Sequence, residues 1–364
     1  MGKRELLLIA GFVAIGAIAY RLTAEPSPSG GGFSIGAFLR HIVNEVRGER
    51  FEQRFALSRQ EPLDSDVATL RIADLHGTLT IIGEDREDVS VDAKGSVFGV
   101  DDEAARAAAR AVAMELQREG DALVLALTVP EGRERRPRLE LAVRVPEHLA
   151  LEVRSSGGEI EASGIAGISC AGLRGRALFS RIEGAVTGKF GPGSIEISEA
   201  EAVDLEVERT ELRVIEIEGP VTLAATSGDL RIRRVTGPTK LTLERIEAEL
   251  EELEGPLTVS GDRGRLRIRN TEGPIETDTS RMELFLAPGR VVPIDVTSEF
   301  ETVELTLPSG GLTLDVQASS ADLRLPPETL KAEVRGEDRV ASGDLHGGGP
   351  LVRLRSTRGD IVIR

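Results

Sequence analysis

Apolar and polar residues alternate along most of this chain, and from Glu201 to Arg290 the alternation is locked to a fixed period. Gly-Pro stands at Gly219-Pro220, Gly237-Pro238, Gly255-Pro256 and Gly273-Pro274, a spacing of 18 residues each time. The block before them, EAVDLEVERTELRVIEIE, keeps the length without the Gly-Pro. With the first residue of each block counted as position 1, position 3 holds Val203, Val221, Thr239, Leu257 and Ile275. Position 5 holds Leu205, Leu223, Leu241, Val259 and Thr277, and position 12 holds Leu212, Leu230, Ala248, Leu266 and Leu284. Position 14 holds Val214, Ile232, Leu250, Ile268 and Leu286.

A two-residue period on both halves of a block is that of strands with one buried face. A fixed repeat of one short supersecondary unit marks a stack in which each unit covers the next. Each block is therefore expected to be two short strands joined by two turns. Gly at one corner is expected to supply an unusual backbone angle and Pro to preset φ beside it. Ser227-Gly228-Asp229 marks the opposite corner. The fold class is all-β, a parallel β-solenoid read as a right-handed β-helix with about 18 residues per coil.

The outward positions agree with in-register stacking. Position 13 reads Arg231, Glu249, Arg267; position 15 reads Arg233, Glu251, Arg269; position 16 has Arg234 and Glu252. Stacked about 4.8 Å apart, these alternating signs attract where a like-charged column would repel. Each exposed pair contributes little. Position 9 carries Arg209, Ser227, Arg245, Arg263 and Arg281. Arg209, Arg245, Arg263 and Arg281 are the candidate ligand-binding residues, a corner that could meet an anionic polymer. Glu208, Glu244 and Asp262 at position 8 neutralise much of it, and local pairing is the bland use of the same column.

The flanks extend this pattern. Leu151, Val153, Ile160 and Ala162 fall into the same frame; blocks between Gly167 and Ala200 shorten to 17 residues; Ile294, Val296, Val303 and Leu305 continue the alternation. Leu330 to Asp344 is poorly patterned and is expected to be a loop, and the chain closes on GPLVRLRSTRGDIVIR, another Gly-Pro block. Earlier in the chain, TLRIADLHGTLTIIGEDREDVSVDAKG predicts strand, Gly turn, strand, acidic loop, strand. Asp101 to Arg118 predicts the strongest helix, opened by acidic residues where the helix dipole favours them and closed near Gly120.

At the N-terminus, Lys3 and Arg4 precede an apolar run from Leu6 to Tyr20. It reads as a membrane anchor if extended through Ala24 with Arg21 snorkelling, or as a cleaved export signal ending near Ala17-Ile18-Ala19. Either way the basic residues stay inside and the rest of the chain lies beyond the cytoplasm, so the expected location is the bacterial cell membrane, single-pass, with a secreted or periplasmic protein as the alternative if the segment is cleaved. The expected order is an anchor over 1–24, a linker over 25–34 and an amphipathic capping or juxtamembrane helix over 35–58. The first strands then occupy 60–148 with the helix 101–118 inserted, and the regular solenoid occupies 149–364.

Composition narrows the function. The chain has 364 residues, 40 glycines, 3% aromatics and no Trp, which suits a narrow Val/Ile/Leu core. A formal charge of −16 supplies no basic footprint, so no nucleic-acid partner is expected. Cys170 is the single cysteine, on an alternating apolar stretch, and reads as a buried structural thiol. None of His41, His76, His148 and His346 has a partner at metal-ligand spacing, so no metal and no cofactor are expected. Asp74-Leu75-His76-Gly77 recurs as Asp344-Leu345-His346-Gly347. A β-helix hydrolase could use Asp and His so placed, yet turns favour the same residues.

Three segments carry a family resemblance: TLRIADLHGTLTIIGEDREDVSVDA, LELAVRVPEHLALEVRSSGGEIEASGIAG and LRSTRGDIVIR. A Gly-centred strand pair, a Val-Pro before the repeats and serial Ser/Thr-Gly-Asp turns resemble the bacterial putative-adhesin, or β-strand-repeat, family of unknown function. The resemblance spans roughly Val67 to Arg364 and implies a membrane-tethered parallel β-solenoid with no catalytic residues. The reading of the whole is a non-catalytic extracytoplasmic interaction or scaffold module, not an enzyme, with the membrane and an envelope protein or polysaccharide as partners. The alternatives are a carbohydrate-active β-helix enzyme and a bactofilin-like polymerising scaffold.

Overall fold

The structure is a computed structural model that describes residues 51–364 other than 65, 131–136 and 327–329. The anchor, the linker and the helix expected up to residue 50 lie outside the described residues. No helix among the described residues is long and apolar enough to cross a membrane. The protein is nearly all β, its strands assigned to one sheet that does not close on itself.

Two compact units can be described separately. The smaller comprises, among the described residues, 51–59, 91–116, 126–130 and 137–141. Strand β1 (Phe51–Pro62) begins there, and in its first part Gln53, Phe55 and Leu57 are half-buried between exposed neighbours. That two-residue period makes 51–58 a strand, which corrects the helix expected to reach residue 58. Strand β3 (Asp88–Gly99) runs into helix α1 (Asp102–Arg110). The Asp101 side chain accepts from the Ala104 amide at 2.7 Å, and Asp102 and Glu103 fill the first turn.

The helix is half as long as expected, because Ala111 caps it and β4 (Ala113–Glu119) follows. Val112, Met114 and Leu116 are more buried than their neighbours, so alternation defeats alanine propensity after the cap. Gly120, at φ +66, makes the turn into β5 (Ala122–Thr128). Strand β6 (Arg138–Pro146) completes this half of the sequence.

The larger unit comprises 60–90, 117–125 and 142–364. Here β2 (Thr69–Glu84) pairs parallel with β7 (Ala150–Ile165), Leu70 opposite Leu151 and Ile81 opposite Ala162. Then come β8 (Gly167–Ile217), β9 (Val221–Val235), β10 (Thr239–Leu253), β11 (Leu257–Arg269) and β12 (Ile275–Ala287). Each pairs parallel with the next in the register of the repeat: Leu205, Leu223, Leu241, Val259 and Thr277 stand in one column. All members of the four apolar columns are buried. Val207, Ala225, Leu243 and Thr279 add an inner column at position 7, and Ile217, Val235, Leu253 and Thr271 another at position 17.

The glycines of the Gly-Pro corner act differently from expectation. None of Gly219, Gly237, Gly255 and Gly273 has a left-handed φ. A Cβ on Gly237, Gly255 or Gly273 would instead lie 2.1–2.2 Å from the carbonyl oxygen of the glycine one block earlier. Glycine is there for close approach between blocks. The left-handed angles are carried by side-chain-bearing residues: Arg209, Ser227, Arg245, Arg263 and Arg281 at φ 52–61, and Glu216, Arg234, Glu252 and Asn270 at φ 52–60.

Beyond β12, order in the stack departs from order in the sequence. Strands β13 (Ile294–Glu299) and β14 (Val303–Leu305) lie on β12. Next comes not β15 (Leu312–Ser319) and β16 (Leu323–Arg324) but the chain's last block, β19 (Leu351–Thr357) and β20 (Ile361–Ile363). β15 and β16 pair on the far side of that block. The segment expected to be a loop forms β17 (Glu333–Arg335) and β18 (Asp338–Leu345), antiparallel to each other, with β18 antiparallel to β15. Its pattern was obscured because β17 is exposed along its whole length.

Candidate functional site

The outward columns of the larger unit are the chemistry the repeat displays. Registry sets Glu249 between Arg231 and Arg267, and Glu251 between Arg233 and Arg269. Arg233 Nε lies 3.2 Å from Glu251, and Arg269 Nη1 reaches diagonally to Glu249 at 3.1 Å. Arg265 Nε donates to Glu283 at 2.8 Å one block on, which raises the Arg265 pKa further. The alternating face is thus largely self-neutralised.

The arginine corner is locally paired as well. Arg209 Nη2 lies 3.1 Å from Glu208, Arg245 Nη1 2.6 Å from Glu244, and Arg263 Nε 3.7 Å from Asp262. Arg281 donates through Nε and Nη2 to the same Asp262 oxygen at 3.0 and 2.6 Å. Arg245 Nε also donates to Ser227 Oγ at 3.2 Å, one block back. Four guanidiniums share three carboxylates, so the corner keeps one formal positive charge. All four arginines are exposed and all hold a left-handed φ. A side chain in that region costs on the order of 1–2 kcal/mol relative to glycine, and the sequence repeats it block after block.

The opposite corner is one that sequence reasoning missed. A groove of about 1180 Å³ runs across successive blocks there. Glu183, Glu201, Glu218, Glu254 and Glu272 line it, with Arg181 and Arg234 among them. The signal was present: the residue before Gly-Pro is Glu at Glu218, Glu254 and Glu272. Arg234 pairs with Glu216, and Arg290 Nη1 lies 3.4 Å from Glu272, so acid remains in excess. Among the described residues, no group of three His, Cys, Asp or Glu side chains converges as a metal site requires.

The two Asp-Leu-His-Gly segments are not brought together. His76 lies on β2 opposite Gly157, whereas Asp344 and His346 lie at the end of β18, next to β15. Asp344 accepts from Thr313 Oγ1 at 2.6 Å, and His346 takes φ 52 in the turn that follows. His148 is exposed in the turn before β7. Cys170 is buried among the apolar columns of β8, and burial pushes its thiol from 9.0 up to about 12.

No family model and no curated protein matches the chain. Among solved structures it is similar to a "putative cell adhesion protein" from Clostridium sporogenes, 10% identical, with 85% of this chain and 98% of that one covered and a TM-score of 0.19. A "putative adhesin" from Bacteroides fragilis is 9% identical over 85% and 97%, TM-score 0.27. Another from Parabacteroides distasonis is 11% identical over 66% and 97%, TM-score 0.28.

Proposed function

We propose that this chain is a non-catalytic, adhesin-like interaction module: a parallel β-solenoid held outside a bacterial membrane by its first 24 residues. The observation that carries this reading is the unbroken register from β8 to β12, which sets identical outward positions one above another over successive blocks. Such a surface offers a partner many weak, evenly spaced contacts and no single reactive centre. The arginine corner is an exposed basic feature repeated along it, and an anionic envelope polysaccharide or acidic envelope protein is the partner that suits it. Cost supports the choice: arginine is kept in a strained conformation at Arg209, Arg245, Arg263 and Arg281 where glycine would be easier.

The test is binding of the full chain to isolated cell envelopes across a salt series. Reversing Arg245, Arg263 and Arg281 together to Glu should weaken binding and flatten its salt dependence. Asp74→Ala, His76→Ala, Asp344→Ala and His346→Ala, made singly, should leave binding unchanged. Abrupt loss from one of those four with the fold intact would move the reading to a carbohydrate-active enzyme. For the tether, a reporter active only beyond the cytoplasm, fused after Arg364, should be active. Removal of residues 2–20 should leave it inside the cell; a truncated chain that is still exported refutes the tether.

A further inference from the structure

The block 351–363 sits in a slot whose walls come from earlier in the chain. Val352 lies between Ile294 and Leu314, Leu354 between Val296 and Val316, and Ile361 between Val303 and Leu323. Backbone bonds tie it on both sides: Phe300 N donates to Thr357 O at 2.8 Å, and Ile361 N to Asp322 O at 2.9 Å. The block is basic and its walls are acidic. Arg353 lies 2.9 Å from Asp295 on one wall and 3.7 Å from Asp315 on the other, while Arg355 Nη2 donates to Asp315 at 2.6 Å. Arg364 pairs with Glu304 at 2.9 Å, and the Arg358 guanidinium lies 4.0 Å from the Phe300 ring centre.

The walls cannot simply close on one another. In the shared register Asp295 would then face Asp315 directly, a like-charged pair that destabilises stacked strands. The slot is built to accept a basic, alternating strand block. The link that delivers that block is short and glycine-rich: His346 at φ 52, Gly347 at φ +94 and Gly348 at φ +77, then Gly349 and Pro350. It must pass from β18 on one side of β15 to β19 on the other, and it does so over Gly311. A Cβ on Gly311 would lie 2.4 Å from Gly348 O, and one on Gly349 2.2 Å from Gly311 O.

We propose that the slot between β13–β14 and β15–β16 is a strand-acceptor site, and that a second copy of this chain fills it with its own β19–β20 block, giving a strand-exchanged dimer. Exchange substitutes identical contacts between chains for those within a chain, so its cost falls on the link and on bringing two chains together. The inference rests on strand order and stands independently of the adhesin-like reading.

Two full-length variants test it. The first, R353E/R355E, has an unsuitable block and a native slot; the second, D295R/D315R, has a native block and an unsuitable slot. Only a reciprocal exchange between them matches every charge. Co-expressed with different affinity tags, they should co-purify roughly tenfold more than two differently tagged copies of either one, a ratio that corresponds to about 1.4 kcal/mol. Co-purification no greater than that of like with like overturns the proposal. A second variant needs no charge change. Deleting Gly347, Gly348 and Gly349 leaves the link unable to cross Gly311, so differently tagged copies of this variant should co-purify where those of the wild type do so weakly. A deletion variant that stays single-chain with wild-type thermal stability overturns it equally.

Discussion

Arg71 donates through Nε to Glu152 Oε2 at 2.8 Å, joining β2 to β7 across 81 residues of sequence. The hydrogen bond from Arg71 is the main cause holding the Glu152 carboxyl below its ordinary 4.5, against a smaller opposing effect of burial. A carboxyl depressed in the folded state contributes stability that is present above 4.5 and is lost as pH falls through the folded value. Glu152→Gln should therefore lower the melting temperature slightly at pH 7 and not at all once the wild-type carboxyl is protonated. Melting curves of both proteins across the acid range check this; a constant difference at every pH would remove the pair from the account.

Close approach at the Gly-Pro corner gives a sharper expectation. A Cβ on Gly255 meets Gly237 O at 2.2 Å and Gly237 C at 2.4 Å, and backbone cannot move aside as a side chain can. Gly255→Ala should cost about 2–3 kcal/mol, the upper part of the range for overpacking. Gly336→Ala is the comparison: φ is +70 there, but no atom stands within 4 Å of the added carbon. It should cost only the left-handed penalty, roughly 1 kcal/mol. Denaturant unfolding of the two variants should rank them in that order, and the reverse ranking would mean that close approach between blocks does not fix glycine at the corner.

Much of this fold is written in its sequence because the repeat repeats its own evidence. Leu223, Leu241 and Val259 fall in one column whether read as letters or as paired strands. The misreadings have two causes: one local signal can mask another, and local pattern carries no information on distant pairing. Ala104 to Ala111 is helical in composition, yet the helix ends where Val112, Met114 and Leu116 begin to alternate. Nothing in GPLVRLRSTRGDIVIR says that it belongs between 294–305 and 312–324; only the Arg353–Asp295 and Arg355–Asp315 pairs, seen together, do. The acidic groove was legible at Glu218, Glu254 and Glu272 but divides its residues between block end and block start, where a column-by-column reading is weakest.

Cys170 sits where reagents cannot reach it, 2% exposed in an apolar column, with its pKa raised to about 12 by burial. The native protein should resist thiol-specific labelling at pH 8 and react once unfolded. A group whose pKa is raised by folding contributes stability that is intact below the unfolded value, 9.0, and is lost as pH climbs toward about 12. Within that window the thiol should lower stability by about 1.4 kcal/mol per pH unit. Cys170→Ala should show a shallower alkaline decline by that amount; parallel declines would mean that the thiol is not sealed.

The 18-residue block is the unit of stability, and its removal is the strongest test of the register. Excising Gly237 to Glu254 deletes one block and leaves Val221 to meet Leu257, Leu223 to meet Val259 and Ile232 to meet Ile268, all apolar partners in the same columns. The shortened protein should fold. It should also be less stable, since Arg231 would face Arg267, Arg233 would face Arg269, and the pairs that Glu249 and Glu251 now make would be gone. Adding R267E/R269E to the deletion should recover part of the loss by restoring opposite charge across the join. Excising only Gly237 to Arg245 removes an odd number of residues. A first half-block would then meet a second, and the shift by an odd number turns inward residues outward. That variant should not fold. Circular dichroism and thermal melting separate the cases, and equal stability for the long and the short deletion would contradict in-register stacking.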